Sequence, residues 1–325
     1  MTMRIAVLRG GPGDEHEVSL KSGSAVLECL STNQEVHDID SVDIFIDRIG
    51  EWFIRGVPKN PERTLAGADV VWNALHGMYG EDGGVQRTLD RIGIPHTGSG
   101  AYAAALSMNK AATKRVLEKA GVRTPRFVVL GVSPTLPKEI ISVFRSFPQP
   151  SVVKPVNSGS SVGVSIARSF GEFEKAIANA FHYAPHVLVE EFISGKEATC
   201  GVVDGFRGES HYVLPPVEII PPRASSFFDY DAKYGGGSEE RCPGNFSSSE
   251  TKAIQNAARV AHTTLGLRHY SRSDFIVSPR GGVYFLEVNA LPGTTGESLL
   301  PKALNAVGVS MNEFIGHIVM LAQKR

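Results

Sequence analysis

The segment RSDFIVSPRGGVYFLEVNALPGTTGESL, residues 272–299, decides how the rest of this chain is interpreted. Two apolar runs flank the turn-forming sequence Pro-Arg-Gly-Gly, which predicts a β-hairpin. With the loop centred on that sequence, Asp274 lies opposite Glu287 and Arg272 lies opposite Asn289. These four polar side chains then share one face of the hairpin, because side chains alternate along a strand.

The other face of the predicted hairpin is suited to lie on a core. It carries Ser273, Phe275, Val277, Tyr284, Leu286 and Val288. This alternation of polar and apolar positions is typical of a sheet that covers a core with one face.

The pairing of Asp274 with Glu287 needs an explanation, because directly opposed carboxylates repel each other. Oxygen ligands from only two or three protein groups suit Mg²⁺, which keeps some of its waters and shares a substrate phosphate. Two simpler explanations stay open at this point. The face is an ordinary exposed polar sheet face, or Arg272 and Asp274 form an internal ion pair.

Composition limits the classes of partner. The chain has 325 residues, enough for two or three compact units, and a formal net charge of -1, which favours neither nucleic acid nor an anionic membrane. Cys29, Cys200 and Cys242 are far apart, so neither a disulfide framework nor a zinc site is predicted. There is no signal-peptide pattern and no apolar run of about 18 residues. We expect a cytoplasmic protein with small-molecule partners.

The N-terminus has the pattern of a doubly wound α/β unit. A short apolar strand, residues 5–8, leads into a glycine turn and then into a helical pattern. A dinucleotide site is disfavoured, because His16 replaces the third glycine and Glu15 puts a negative charge where a pyrophosphate would lie. An acid at this position suits a ligand ammonium group, although Asp14 or Glu15 could equally act as a helix cap.

Further candidate groups follow other predicted strands. His76 follows the strand at 69–75, and Lys154 ends a buried strand before a Gly/Ser-rich loop at residues 157–163. Backbone amides of such a loop can wrap a triphosphate, or the loop can be a plain hairpin connection. Residues 225–246, with little periodicity, are predicted to form a lid.

Strands are predicted at 127–130, 151–154, 162–166, 187–189 and 197–203, and helices at 84–91, 101–106, 110–119, 134–147, 173–183, 251–265, 299–307 and 311–321.

The order of these motifs resembles the D-alanine–D-alanine ligases of the ATP-grasp superfamily from end to end. The matching strings are GGxxxEHEVSL (residues 10–20), LHGxxGEDG (75–83), IPHTGSG (94–100), VKPxxxGSSVGV (153–164), DYDAKY (229–234) and LEVNALPG (286–293). The resemblance implies an α/β protein with the ATP-grasp fold. Its expected parts are an N-terminal doubly wound domain at 1–99, a central ATP-grasp subdomain at 100–186, and a C-terminal catalytic domain at 187–325 with a lid at 221–247.

The implied activity is ATP-dependent synthesis of D-alanyl-D-alanine through a D-alanyl phosphate, for bacterial peptidoglycan precursors. By family position, the ATP-binding residues are Lys110, Lys154, Ser160, Ser161, Glu190, Glu191, Phe192, Ile193, Glu197 and Lys233. Asp274, Glu287 and Asn289 carry two Mg²⁺ ions, for which Mn²⁺ can substitute. A homodimer is implied only by the family.

The resemblance also assigns the groups that handle D-alanine. The catalytic residues are Glu15, Ser160, Arg272, Gly293 and Tyr234, and the substrate-binding residues are Glu15, Val18, His76, Arg272, Gly293, Ser298 and Leu299. Arg272 and the Gly293 amide would form an oxyanion hole. Ser160 and Tyr234 would join Glu15 and close the lid over the acyl phosphate.

Some positions depart from the family pattern. Asn109 stands for the usual Asp, Ala290 and Thr294 replace Thr and Met, Glu297 adds an acid beside Ser298, and the lid ends in GGGSEER. Glu297 and the lid bear on affinity for the second substrate. Tyr234 resembles the residue of enzymes whose acceptor is D-alanine.

Three alternatives remain from the sequence. The enzyme could use D-serine or D-lactate as acceptor, the N-terminal unit could belong to a nicotinamide-dependent oxidoreductase, or the protein could be a nucleotide-binding regulator without catalysis. Arg272, Asp274, Glu287 and Asn289 together argue against the last.

Overall fold

The computed structural model describes residues 2–32, 39–159, 161–221 and 238–324, which form three β-sheets connected by helices. The first sheet has the order β4-β3-β2-β1-β5, and β1 is parallel to both β2 and β5. Its strands are β1 Met3–Gly10, β2 Ile39–Ile46, β3 Trp52–Ile54, β4 Val57–Pro58 and β5 Val70–Asn73. The parallel core confirms the predicted α/β unit, and the antiparallel edge of β3 and β4 is an addition that the sequence analysis did not predict.

The second sheet is antiparallel, with the order β6-β9-β7-β8. Its strands are β6 Phe127–Gly131, β7 Ser151–Pro155, β8 Ser165–Ala167 and β9 His186–Glu191. The predicted strand at 162–166 therefore begins later, because Ser161 and Gly163 adopt positive φ angles in a turn. Strand β9 pairs here, so a boundary drawn by sheet membership falls after Glu191 rather than after residue 186. The three domain ranges otherwise stay a prediction.

The third sheet has the order β13-β12-β10-β14-β15, and β11 also pairs with β10. Its strands are β10 Lys196–Asp204, β11 His211–Val213, β12 Val217–Ile220, β13 Glu239–Arg241, β14 Tyr270–Val277 and β15 Val283–Asn289. Strands β14 and β15 form the predicted hairpin. Strand β13 lies inside the range predicted as an aperiodic lid, of which residues 222–237 lie outside the described residues.

The helices lie between and around these sheets. They are α1 His16–Thr32, α2 Pro61–Thr64, α3 Gly77–Gly80, α4 Gly84–Ile92, α5 Ala101–Met108, α6 Lys110–Lys119, α7 Leu136–Ser146, α8 Phe170–Phe181, α9 Ser248–Thr264, α10 Leu299–Ala306 and α11 Met311–Gln323, with a short 3₁₀ turn at Phe206–Gly208. Helix α8 begins three residues before the prediction because Ser169 accepts a hydrogen bond from the Glu172 amide. The Asn109 side chain caps α6 in the same way, by accepting a hydrogen bond from the Ala112 amide. An Asp at this position would accept the same hydrogen bond.

One hydrophobic core joins the first sheet to the C-terminal helices. Trp72 of β5 stacks on Tyr270 of β14 with ring centroids 6.3 Å apart, and Phe314 of α11 contacts the other side of Tyr270. The N-terminal unit is thus closed by residues from the end of the chain. Among the described residues, no single helix is long and apolar enough to span a membrane. The pair α10 and α11, bent by 106°, passes that test only together.

Candidate active site

The predicted site residues converge on one cavity of about 1130 Å³ between the three sheets. It is lined by Glu15, Val18, His76, Lys110, Lys154, Ser161, Glu190, Glu191, Phe192, Ile193, Glu197, Arg272, Asp274, Glu287, Asn289, Gly293, Ser298 and Leu299. Every predicted site residue that the structure describes is in this set. Ser160, Lys233 and Tyr234 lie outside the described residues.

The hairpin has the predicted register at its polar end. Arg272 pairs with Asn289, and Asp274 pairs with Glu287. The Asp274 carboxylate accepts hydrogen bonds from Arg272 Nε (3.0 Å) and Nη2 (3.1 Å), and from Asn289 Nδ2 (3.3 Å). The ion pair considered as an alternative explanation is therefore present, and it lies in the same cavity as the two opposed carboxylates.

The predicted register is wrong between Asp274 and the turn, because the loop at 278–282 has five residues rather than four. A β-bulge after Asp274 restores the predicted pairing at the polar end. Phe275 lies opposite Phe285 rather than opposite Leu286. Phe275 and Phe285 then pack edge to face in the core, with ring centroids 5.9 Å apart. Leu286, predicted on the core face, lines the cavity instead beside Glu287. The bulge thus places two successive residues of β15 on the cavity side.

Thr199 is a site-shaping residue that sequence reasoning missed. Its hydroxyl on β10 donates to Asp274 Oδ1 at 2.6 Å. Strand β10 pairs with β14 so that Thr199 and Asp274 are opposite each other. This contact depends on the sheet order, which no local pattern in the sequence reveals.

Two cations face the acids of the cavity. Lys110 Nζ lies 3.1 Å from Glu287 Oε2 and also donates to the Ser158 carbonyl oxygen. Lys154 Nζ lies 2.8 Å from Glu190 Oε2. Both lysines are almost fully buried, so their charges act in a medium of low effective dielectric.

Glu190 joins two lysines rather than one. Its other oxygen, Oε1, lies 2.8 Å from Lys114 Nζ, and Lys114 also donates to the Phe285 carbonyl oxygen. Burial alone would raise the Glu190 pKa, but the two ammonium groups hold it below its ordinary value. Burial lowers the Lys114 pKa to about 8, with Glu190 acting in the opposite direction. The sequence analysis did not select Lys114, whose partner Glu190 lies on another element.

One part of the cavity is built around Glu15, His76 and Glu81. His76 Nε2 is 2.8 Å from the Ser22 hydroxyl, and burial lowers the His76 pKa, partly countered by the Glu15 charge. Glu81, which the sequence analysis did not select, accepts hydrogen bonds from the Gly77 amide (2.9 Å) and the Leu291 amide (3.1 Å). Burial, followed by the charge of Glu15, raises the Glu81 pKa to about 8. Glu81 therefore ties the glycine turn of α3 to the loop before Gly293.

The start of α10 also lines the cavity. Ser298 is the N-cap of this helix, and its hydroxyl is bound to Thr295 Oγ1 at 2.8 Å rather than to a first-turn amide. The amides of the first turn are therefore available to an anion. Glu297 is 95% exposed and lies 3.5 Å from Lys302 Nζ, whose nearer partner is Glu240 at 2.6 Å. The Glu297 carboxylate is thus largely solvated and pairs with Lys302, and both residues line the cavity.

The junction between β9 and β10 is held by hydrogen bonds to the residues just before β6 and β7 of the second sheet. The Glu191 carboxylate accepts the Arg126 amide at 2.9 Å, so this side chain is engaged within the second sheet. The Phe192 amide donates to the Pro150 carbonyl oxygen at 3.3 Å. The segment from Glu191 to Ile193 is therefore held as an ordered edge of the cavity.

Solved structures with the same architecture extend over nearly the whole chain. The VanG D-Ala:D-Ser ligase from Enterococcus faecalis matches with a TM-score of 0.86 and 30% identity, covering 99% of this chain and 100% of that one. The D-alanine-D-alanine ligase from Coxiella burnetii matches with a TM-score of 0.83 and 27% identity, covering 100% and 94%. The fold, with its cavity between antiparallel sheets, is that of the ATP-grasp ligases.

Sequence comparison gives the particular family. A family model described as "D-ala D-ala ligase C-terminus" matches residues 116–320. D-alanine–D-alanine ligases from Gloeobacter violaceus (39% identity; 98% of this chain and 98% of the relative) and Halalkalibacterium halodurans (40% identity; 99% and 100%) match along their length. The chain belongs to the D-alanine–D-alanine ligase family.

Proposed function

We propose that this enzyme joins two D-alanine molecules to D-alanyl-D-alanine, with ATP converted to ADP and phosphate. The observation that carries the proposal is the convergence in one cavity of Glu15, Arg272 and the α10 N-terminus with the lysines and carboxylates of a phosphate site. The similarity to D-alanine–D-alanine ligases over the whole chain supports the same reaction. In a bacterial cell the product would serve peptidoglycan synthesis.

The nucleotide half of the cavity lies between the second and third sheets. Lys110 and Lys154 would bind the α- and β-phosphates, with Ser160, Ser161 and Lys233 completing the phosphate site. Glu190, Glu191, Phe192 and Ile193 would hold adenine, and Glu197 would hold the ribose. Positioned cations lower the barrier to phosphoryl transfer by neutralising charge on the phosphate oxygens.

The metal site is proposed for Asp274, Glu287 and Asn289. The donor set fits Mg²⁺, since it offers oxygen ligands from two opposed carboxylates and one amide at the edge of the phosphate site. When bound, two Mg²⁺ ions, or Mn²⁺ in their place, would neutralise the triphosphate. Lys110 Nζ beside Glu287 already places one positive charge there.

The substrate half carries the carboxylate chemistry. Glu15 would bind the ammonium group of the first D-alanine, with Val18 and His76 around it. The carboxylate of this D-alanine would then attack the γ-phosphate of ATP, and ADP would leave. The amine of the second D-alanine would then attack the acyl carbon, and phosphate would leave with the bridging oxygen. Arg272 and the Gly293 amide would stabilise the developing oxyanion.

The second D-alanine needs a carboxylate site and protection of the acyl phosphate from water. Ser298 and the Leu299 amide would receive that carboxylate at the start of α10. Ser160 and Tyr234 would link the lid to Glu15. We further propose a cytoplasmic homodimer with the three domains described above.

The experiment is phosphate release from MgATP with and without D-alanine, with the product identified by mass. We expect D-alanine-dependent phosphate with one dipeptide per phosphate, and loss of both in Glu287→Gln. ATP binding without D-alanine-dependent turnover would contradict the proposal. A panel of D-alanine, D-serine and D-lactate as acceptors tests the alternative specificity, and preference for either of the last two would correct it.

A further inference from the structure

A cluster of three metal-ligating side chains lies at the end of β10, apart from the residues that line the catalytic cavity. Asp204 is the last residue of β10, His211 is the first residue of β11 and lies directly opposite it, and His262 comes from α9. Their ligand atoms all lie within 4.8 Å of one another. His262 is 51 residues beyond His211 and 58 beyond Asp204 in the sequence, which explains why no spacing pattern signalled a metal site there.

Both imidazoles converge on the same carboxylate oxygen. His211 Nδ1 lies 2.8 Å from Asp204 Oδ1, and His262 Nε2 lies 3.0 Å from it. Ligands bound tetrahedrally to Zn²⁺ at about 2.0–2.1 Å are separated by roughly 3.3 Å. The two contacts with Asp204 Oδ1 therefore need to lengthen by only a few tenths of an ångström, about 0.5 Å for His211 and about 0.3 Å for His262, to admit the ion. His211 can supply this movement, because its side chain is 37% exposed.

The outer contacts orient the ligands as in known metal sites. His262 Nδ1 is bound to the Ser271 hydroxyl at 2.7 Å, which leaves Nε2 directed at Asp204. The second oxygen of Asp204 accepts the His269 amide at 2.6 Å. Such outer contacts fix the ring orientation and the carboxylate plane of metal ligands. The His262 side chain is fully buried, so its ring is held in this position.

The chemistry of the donors selects the class of ion. Two imidazole nitrogens and one carboxylate oxygen suit Zn²⁺ and related transition metals, whereas Mg²⁺ prefers oxygen ligands alone. Three protein ligands leave a fourth position for water, which the exposed edge of His211 makes accessible.

We propose that Asp204, His211 and His262 bind one Zn²⁺ ion at a site separate from the substrate cavity. The ion connects the hairpin of β10 and β11 to α9. Binding of Zn²⁺ releases the proton that His211 or His262 shares with Asp204, because a histidine nitrogen must carry no proton when it binds a metal. The site is structural for the third sheet and takes no part in the ligation reaction.

The test is titration of the metal-stripped full-length protein with Zn²⁺ against a chromogenic chelator. We expect one tight equivalent in the wild type, with a dissociation constant weakened at least tenfold in His211→Ala. His186→Ala, at an exposed histidine elsewhere, and Asp274→Asn, in the proposed Mg²⁺ site, should both keep the tight equivalent. His211→Ala should also keep Mg²⁺-dependent ligase activity, which verifies its fold.

Zinc K-edge absorption of the one-equivalent complex identifies the ligands directly. The proposal predicts a four-coordinate nitrogen and oxygen shell with two imidazoles. No tight equivalent in the wild type, an unchanged equivalent in His211→Ala, or sulfur ligation from Cys200 or Cys242 would overturn it.

Discussion

The guanidinium group of Arg272 donates two hydrogen bonds to the Asp274 carboxylate, from Nε to Oδ1 at 3.0 Å and from Nη2 to Oδ2 at 3.1 Å. Burial opposes the charge of Arg272, but the nearby Asp274 carboxylate raises the Arg272 pKa above its ordinary value. The group proposed to stabilise the oxyanion and a group proposed to bind Mg²⁺ are thus held in one fixed arrangement. The Thr199 hydroxyl on the neighbouring strand β10 also donates a hydrogen bond to Asp274, which helps to orient its carboxylate.

Thr199→Val is expected to weaken Mg²⁺ activation without preventing folding. The substitution keeps the side-chain shape but removes a hydrogen bond to a metal-binding carboxylate, and such losses typically cost about 10–100-fold in metal affinity. The Mg²⁺ concentration at half-maximal phosphate release should rise accordingly. Thr199→Ser should restore it, and exposed Thr263→Val should have no effect. Equal Mg²⁺ dependence in Thr199→Val and wild type would refute this role of Thr199.

Gly159→Ala is expected to impair binding of the first D-alanine. A Cβ at this position would lie 2.9 Å from Glu15 Oε2, which is too close, so the carboxylate must move. We predict an increase of about tenfold in the KM for the first D-alanine, equivalent to about 1.4 kcal/mol. Gly171→Ala is the matched control, since its Cβ would meet nothing within 4 Å. The role of Glu15 is contradicted if both variants keep the wild-type KM.

Glu190→Gln is expected to destabilise the fold more than Lys114→Met. Loss of the carboxylate leaves two buried ammonium groups without their shared counter-charge, and breaking a buried pair in this way costs about 3–5 kcal/mol. Lys114→Met leaves the contact between Glu190 and Lys154 intact. Urea denaturation at pH 7 without ATP measures both, with exposed Glu174→Gln as control. A larger loss of unfolding free energy in Lys114→Met would show that Glu190 is not the centre of this cluster.

Glu81 should make stability depend on pH in a defined direction. Its folded pKa of about 8 exceeds its ordinary value of 4.5 because burial and Glu15 disfavour the charged form, against the Gly77 and Leu291 amides and Arg272. The stability it contributes is therefore fully present below pH 4.5 and is lost as the pH rises towards 8. Relative to Glu81→Gln, the unfolding free energy of the wild type should fall by up to about 1.4 kcal/mol per pH unit in this window.

Parallel unfolding curves against pH for wild type and Glu81→Gln would contradict that assignment. Glu209→Gln, at an exposed carboxylate, serves as the control for a general charge effect. Its difference from the wild type should show no such slope.

The loop between β14 and β15 has five residues, 278–282, and the bulge after Asp274 compensates for the extra one. The sequence therefore predicted the polar face of the hairpin from side-chain alternation, although it assumed a four-residue turn. It did not predict the bulge that turns Leu286 towards the cavity, since a bulge changes the pairing without changing the apolar pattern. Lys114 and Glu81 were missed for a related reason. Their partners are on other elements, so only the assembled sheets show that Glu190 and the Leu291 amide lie beside them.

The motifs select residues that the structure brings together, whereas several predicted element boundaries differ from those of the structure. Every described residue assigned through the family resemblance lines one cavity. Strand β8 began later than predicted because Ser161 and Gly163 form a turn with positive φ angles, which the apolar residues Val162 and Val164 concealed. The sequence did not show that β9 belongs to the second sheet, because its partners β6 and β7 are distant in sequence.

The most direct test of the proposed reaction follows an oxygen atom. The enzyme is incubated with MgATP and D-alanine labelled with ¹⁸O in both carboxylate oxygens, and the released phosphate is analysed by mass spectrometry. Attack of the carboxylate on the γ-phosphate, followed by attack of the second amine on the acyl carbon, predicts one ¹⁸O in each phosphate together with one dipeptide. Unlabelled phosphate, or label transferred to AMP, would contradict a D-alanyl phosphate formed in this cavity.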